Sequence, residues 1–228
     1  MMYYKEYFKK TRLNGDDMNG IICIDGVVGA GKSTLGDILA KELGISLFEE
    51  PVLNNPILDK FYYDKKRYSF PLQIFFLNKR FKMIKEANLL DGCVMDRSIY
   101  GDVIFARMLM EDGDMAPEEF ELYEELLHNM LEHLSPPKLM IYLESSVEGA
   151  VDKIGRRGRD YEKIVPRSYW ESLNQNYESY FNSYNLSNIL RINVDNVDIK
   201  ENPQDRKWFV DTVKARLDEI KTGQTINK

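Results

Sequence analysis

One octapeptide constrains this chain more than any other part of it. Gly26, Val27, Val28, Gly29, Ala30, Gly31, Lys32 and Ser33, followed by Thr34, fit the pattern G-x-x-x-x-G-K-[ST]. An apolar run, IICID, leads into it, and a helix-favouring run, TLGDILAKEL, leads out. The glycines let the backbone turn tightly and aim its N–H groups inward, and the following helix adds its positive end. Such a loop cradles the phosphates of a nucleoside triphosphate, with Lys32 reaching the terminal ones and Ser33 holding Mg²⁺. It does not say which reaction follows, because GTPases, motors and many kinases share it.

Four further apolar runs read as buried strands. With the first they lie at 21–25, 46–49, 92–96, 138–143 and 189–194. Helix-favouring stretches fall at 32–43, 56–90, 100–111, 117–134, 147–154, 166–184 and 205–221. That alternation predicts an α/β fold, a five-stranded parallel sheet flanked by helices. Residues 1–19 fit no part of it and are expected to form a mobile leader before a single domain, 20–228. The leader is charged and lacks a signal-peptide core, and no apolar run approaches the ~20 residues that span a bilayer. A cytoplasmic protein without membrane contact is expected. The net charge of −6 argues against wrapping a nucleic-acid polymer. Cys23 and Cys93 sit in apolar runs and read as buried small hydrophobes. His128 and His133 are spaced i, i+5 on one expected helix, which puts them on different faces, so they read as structural.

Ligands of open α/β sheets lie beyond the carboxyl ends of the strands. Here those ends read Glu49-Glu50-Pro51, Asp96-Arg97-Ser98 and Glu144-Ser145-Ser146. Two acids and an arginine suit phosphoryl transfer to a hydroxyl: one acid accepts the proton, the other anchors Mg²⁺, and arginine steadies the moving charge. The bland alternative for Asp96 or Ser98 is a cap on the next helix. A GTPase would carry an NKxD motif, and Asn78-Lys79-Arg80-Phe81 fails at the aspartate. Downstream, Lys153, Arg156, Arg157 and Arg159 crowd an otherwise acidic protein. Gly155 and Gly158 are expected to loosen or end the helix there, giving an arginine-rich lid at about 153–165 that closes over phosphates. Gln73 lies in an apolar helix, FPLQIFFL, and needs a partner, either a ligand base or a group of the fold. Phe75, Phe76 and Phe81 read as core rather than as a stacking platform, with one aromatic left free to face the base.

Taken together, GVVGAGKST, the FEEPV…NNP block, FYYDKKRYSFPLQIFFLNKRF, DRSIYGD and RRGRDYE resemble the deoxyribonucleoside kinases, in particular the bacterial deoxyadenosine/deoxyguanosine kinase branch. The resemblance runs in order from about residue 21 to 197, with YWESLNQNYESYF following the lid. It implies a P-loop kinase fold that transfers the γ-phosphoryl group of ATP to the 5′-hydroxyl of a deoxyribonucleoside. It makes Glu50 the general base, while strand alternation turns Glu49 away. It makes Asp96 a Mg²⁺ partner with Ser33, although Asp96 is sometimes given the proton-accepting role instead. Arg97 braces Glu50 and the phosphoryl group. Gln73, Arg80 and Asp102 read the base, Tyr62 and Glu162 hold the sugar 3′-hydroxyl, and Arg157 and Arg159 grip the phosphates. A homodimer through the long helices is also implied. Leu53-Asn54-Asn55-Pro56 stands where animal members often place a tryptophan, so the sugar pocket follows the bacterial pattern.

Two other readings remain open at this point. A monophosphate kinase of the thymidylate kinase type shares the loop, a DR motif and the lid, but needs more basic groups for its acceptor. A non-catalytic nucleotide sensor has no use for Glu50, Asp96 and the lid together. Gln73, Arg80 and Asp102 suit adenine, guanine and cytosine alike. Deoxyadenosine is favoured on resemblance, and the preferred donor triphosphate is open.

Overall fold

The structure, a computed structural model, describes residues 20–51, 55–159, 162 and 164–223. The expected leader, 1–19, and residues 53 and 54 of the sugar-pocket stretch lie outside the described residues. β1 (Ile21–Gly26), β2 (Ser46–Phe48), β3 (Cys93–Asp96), β4 (Leu139–Glu144) and β5 (Ile189–Asn193) form one sheet in the order β2-β3-β1-β4-β5. All four pairings are parallel. Helices cover both faces of such a sheet, so its inner strands must be apolar along their whole length. Accordingly Ile22, Cys23 and Ile24 of β1, all of β3, and Leu139–Leu143 of β4 are buried. The chain moves from β1 out to β2, returns to β3, then crosses β1 to β4 and β5. The change of direction therefore falls at β1, whose carboxyl end carries the phosphate loop, and a ligand crevice belongs there.

Eight helices of six residues or more complete the described fold: α1 (Lys32–Leu43), α2 (Leu58–Tyr63), α3 (Lys65–Ala87), α4 (Asp102–Glu111), α5 (Pro117–Leu131), α6 (Val147–Arg157), α7 (Arg167–Asn182) and α8 (Pro203–Thr222). The helix expected at 56–90 is broken in two. Asp64 leaves helical geometry (φ −147, ψ 78) and its side chain accepts from the Arg67 N–H at 3.3 Å, so it restarts the chain as an N-cap. Asn55 does similar work upstream, with its Oδ1 accepting from the Ile57 and Leu58 N–H groups. α5 stops at Leu131, which leaves His133 outside it, so the two histidines do not share a helix. Gly155 does not end α6. The helix runs on to Arg157 and ends at Gly158, whose left-handed φ of 74 a side chain would resist. α7 packs against α4 and α6 and lays its buried face, including Tyr177 and Phe181, over the sheet.

Candidate active site

β1 delivers the phosphate loop and α1 begins within it. Gly29 (φ 86) and Gly31 (φ 92) hold left-handed backbone conformations. At Gly29 a Cβ would also lie 2.4 Å from the Ala150 carbonyl oxygen, so the loop sits directly on α6. Lys32 is buried, and its Nζ donates to the Gly26 and Val27 carbonyls at 2.8 and 2.7 Å. Burial, with the nearby Arg97 charge, lowers its pKa to about 8. The ammonium is still protonated at pH 7, and phosphate charge would hold it so. Ser33 Oγ donates to Asp96 Oδ2 at 2.5 Å, while Asp96 Oδ1 is buried without a partner.

The loop forms one wall of a cavity of about 1070 Å³. Val28 to Thr34, Glu50, Tyr62, Gln73, Arg80, Arg97, Asp102, Arg157, Arg159 and Glu162 all line it. Gly26 and Val27, at the start of the loop, do not line the cavity, and Asp96 stands behind Ser33 rather than at the cavity surface. Glu50 follows β2 by two residues and reaches the cavity, whereas Glu49 is exposed.

The centre of the cavity is an ionic cluster. Arg97 Nε pairs with Glu50 Oε1, and Arg80 Nη2 donates to the same oxygen at 3.1 Å. Burial alone would raise the Glu50 pKa, but Arg97 and Arg80 more than offset it and hold the carboxyl below its ordinary range. Arg80 Nη1 also donates to Asp102 Oδ1, while Oδ2 of that buried acid has no partner. Burial outweighs the Arg80 charge there, so the Asp102 pKa rises to about 6. Burial also pushes Asp96 up. The two acids at the ends of β2 and β3 thus differ: the arginines favour the ionised form of Glu50 in the cavity, whereas burial disfavours that of Asp96, which lies behind it.

Gln73 is buried on α3 about two helical turns before Arg80, and among the described residues none hydrogen-bonds its amide. Of the three phenylalanines, Phe76 lines the cavity, with the Arg80 guanidinium 5.0 Å from its ring centroid. The arginines of the expected lid are engaged with the fold: Arg157 pairs with the buried Glu162, and Arg159 lies 3.6 Å from it. The sequence reading gave these side chains to different ligand groups, and the fold brings them together.

Several cavity residues escape sequence reasoning. Phe105 on α4 is one, and the segment from Val194 to Asn202 after β5 is another. That segment is tied to α6, because Lys153 Nζ donates to the Val194 carbonyl at 3.2 Å and Asp195 accepts from the Ser146 N–H at 2.8 Å. Behind the cavity, Asp25 at the end of β1 is almost wholly buried. Its Oδ2 accepts from the Ser98 N–H and hydroxyl at 3.0 and 2.6 Å, and its Oδ1 from the Gly26 N–H at 2.9 Å. An acid ending an apolar strand was the available signal for Asp25. Ser98 Oγ accepts from the Gly101 N–H at 3.0 Å, so it closes the turn before α4.

A model of the deoxynucleoside kinase family matches residues 22–218. The chain belongs to that family. It is 39% identical to the deoxyadenosine/deoxycytidine kinase of Bacillus subtilis, covering 86% of this chain and 92% of that one. It is 37% identical to a deoxyguanosine kinase of Lactobacillus johnsonii, covering 88% and 93%. Its fold is similar to that of deoxyadenosine kinase from M. mycoides with bound dATP, with a TM-score of 0.76 at 31% identity over 87% of this chain and 99% of that one. As a deoxynucleoside kinase it transfers a phosphoryl group from ATP to a deoxynucleoside, and the monophosphate-kinase reading falls away. The five-stranded P-loop kinase fold expected from the sequence is the fold found. Among the described residues no helix is long and apolar enough to cross a membrane.

Proposed function

We propose that the enzyme phosphorylates the 5′-hydroxyl of deoxyadenosine in preference to deoxyguanosine and deoxycytidine, with Glu50 as the proton acceptor. The observation that carries the role of Glu50 is the convergence of Arg97 and Arg80 on one of its oxygens, between the phosphate loop and the Gln73 pocket, while the preference for deoxyadenosine rests on the family resemblance. A hydroxyl bound there donates to an ionised carboxylate. Phosphoryl transfer has a loose transition state, so the base has only to orient the hydroxyl and take its proton late. A carboxylate of low basicity suffices for that. Asp96, by contrast, does not line the cavity, and one of its oxygens is committed to Ser33.

The remaining roles are carried over from the family resemblance onto residues that line the cavity. Lys32 leaves its loop carbonyls for the β- and γ-phosphates, and Arg97 shares its charge between Glu50 and the phosphoryl group in flight. Arg157 and Arg159, in a lid at about 153–165, reach the phosphates when Glu162 turns to the sugar 3′-hydroxyl beside Tyr62. Gln73 offers a donor and an acceptor to the base edge, and Asp102 Oδ2 a further acceptor. The donor base lies against the segment from Val194 to Asn202. The Ser33 hydroxyl, which lines the cavity, would hold Mg²⁺ directly, and Asp96, bonded to that hydroxyl from behind, would act on the ion's shell through it or through water, in keeping with the few protein ligands that Mg²⁺ favours besides phosphate and water. Bound there, Mg²⁺ would supply positive charge that neutralises the phosphates during transfer.

A steady-state panel of the four deoxynucleosides with ATP is expected to give deoxyadenosine the highest kcat/KM. A higher value for deoxyguanosine or deoxycytidine would overturn the base preference.

We further infer that 20–228 works as one kinase domain, in the cytoplasm, as a homodimer. The dimer is supported by α3 and α5, which pack side by side and leave Leu122 more than half exposed, with Leu126 and Met130 nearby on α5 only partly covered. Analytical ultracentrifugation is expected to give twice the mass of one chain, and Leu122→Glu to halve it. A monomeric wild-type enzyme would refute the dimer. The cytoplasmic assignment is supported by two free, buried cysteines, and fractionation of the native host tests it.

A further inference from the structure

Arg97 stands out by its backbone. It is the one non-glycine residue among those described with positive φ (74). A side-chain-bearing residue occupies that region only where its surroundings impose it, and such residues cluster where geometry is functional. Two sets of contacts impose it here. The turn is pinned on both sides of its peptide, by the Arg97 N–H on the Ile24 carbonyl at 2.9 Å and the Ser98 N–H on Asp25 at 3.0 Å. The side chain is then aimed. Arg97 Nη1 donates to the Tyr177 hydroxyl at 2.5 Å, and that hydroxyl donates to Asp25 Oδ1 at 3.3 Å. The guanidinium also lies 5.0 Å from the centroid of the Phe105 ring.

We propose that Tyr177 and Asp25 are positioning residues for phosphoryl transfer: Asp25 fixes the strained turn, and Tyr177 relays it to the guanidinium. The inference rests on the role proposed for Arg97. Neither residue lines the cavity, so neither touches substrate. Yet a guanidinium steered by Glu50 alone would follow that carboxylate as it accepts the proton. With Nη1 held on a hydroxyl that is itself anchored to β1, Arg97 keeps its place while Glu50 is neutralised. Positional errors of this kind weigh heavily on the chemical step and little on ground-state binding.

The test is a double-mutant cycle in the full-length enzyme, with ATP and the preferred deoxynucleoside, normalised to ATP-binding sites titrated in the same sample. Tyr177→Phe keeps the ring and removes the relay. It is expected to lower kcat about tenfold, as for a buried donor left unpaired, with both KM values within about twofold. On an Arg97→Lys background the same change is expected to cost less than about twofold more, because coupled residues are not additive. A Tyr177→Phe enzyme with wild-type kcat overturns the relay while leaving Arg97 in place. An equal loss on both backgrounds, or a loss carried by KM, also overturns it. Full kcat in Arg97→Lys would instead remove the role given to Arg97, and the relay with it.

Discussion

Glu50→Gln is expected to lower kcat by about 10²- to 10⁴-fold, the range for losing a positioned general base, with ATP binding retained. Glutamine keeps the length and one acceptor oxygen but cannot take the hydroxyl proton. It also removes the charge that Arg97 and Arg80 share, and two buried guanidiniums are left facing a neutral group. The variant will therefore be less stable, and kcat has to be read below its melting midpoint. A Glu50→Gln enzyme within twofold of wild type would shift the proton-accepting role to Asp96, whose replacement by asparagine then has to abolish turnover.

Arg80→Met is expected to destabilise the folded protein by about 3–5 kcal/mol at pH 8, the cost of breaking a buried ion pair by removing one partner, and by clearly less at pH 5. Asp102 loses its cation, while Glu50 keeps Arg97. The sign follows from the shifts. Even with Arg80 present, the folded pKa of Asp102, about 6, lies above that of an unfolded aspartate. The protonated acid thus favours folding at low pH, and that contribution is lost as pH rises through 6. Without Arg80 the folded pKa climbs further, so the variant forfeits more stability at alkaline pH and least where the acid stays neutral. Glu50, lowered in the native enzyme, also moves up and adds in the same direction. Urea unfolding at both pH values reads the difference, and an equal or larger loss at pH 5 would sink the argument.

Much of this was legible in the sequence because it is local or periodic. The phosphate loop needs its glycines in order, the buried strands need unbroken apolar runs, and the acids end those strands. What was missed depends on contacts far apart in the chain. Tyr177 lies amid the aromatic residues of α7, and nothing nearby distinguishes it from Tyr169 or Phe181. Only the packing of α7 brings it to Arg97. The pairing of Glu162 with Arg157 spans only five residues, but it lies across the end of α6 at Gly158, so helical spacing does not foretell it. The break at Asp64 was missed for another reason: the residues on both sides favour helix, and a single capping side chain decides the matter.

Gly29 has a mechanical implication. With no Cβ, it lets the phosphate loop rest directly on the Ala150 carbonyl and Ile154 of α6. Neither body has slack to slide against the other. Any backbone swing of Arg159 towards the triphosphate must then pivot near Gly158, like a door hung on a fixed post, with α6 as the post and the loop as its footing, while Arg157, at the end of that post, can reach over only by turning its own side chain.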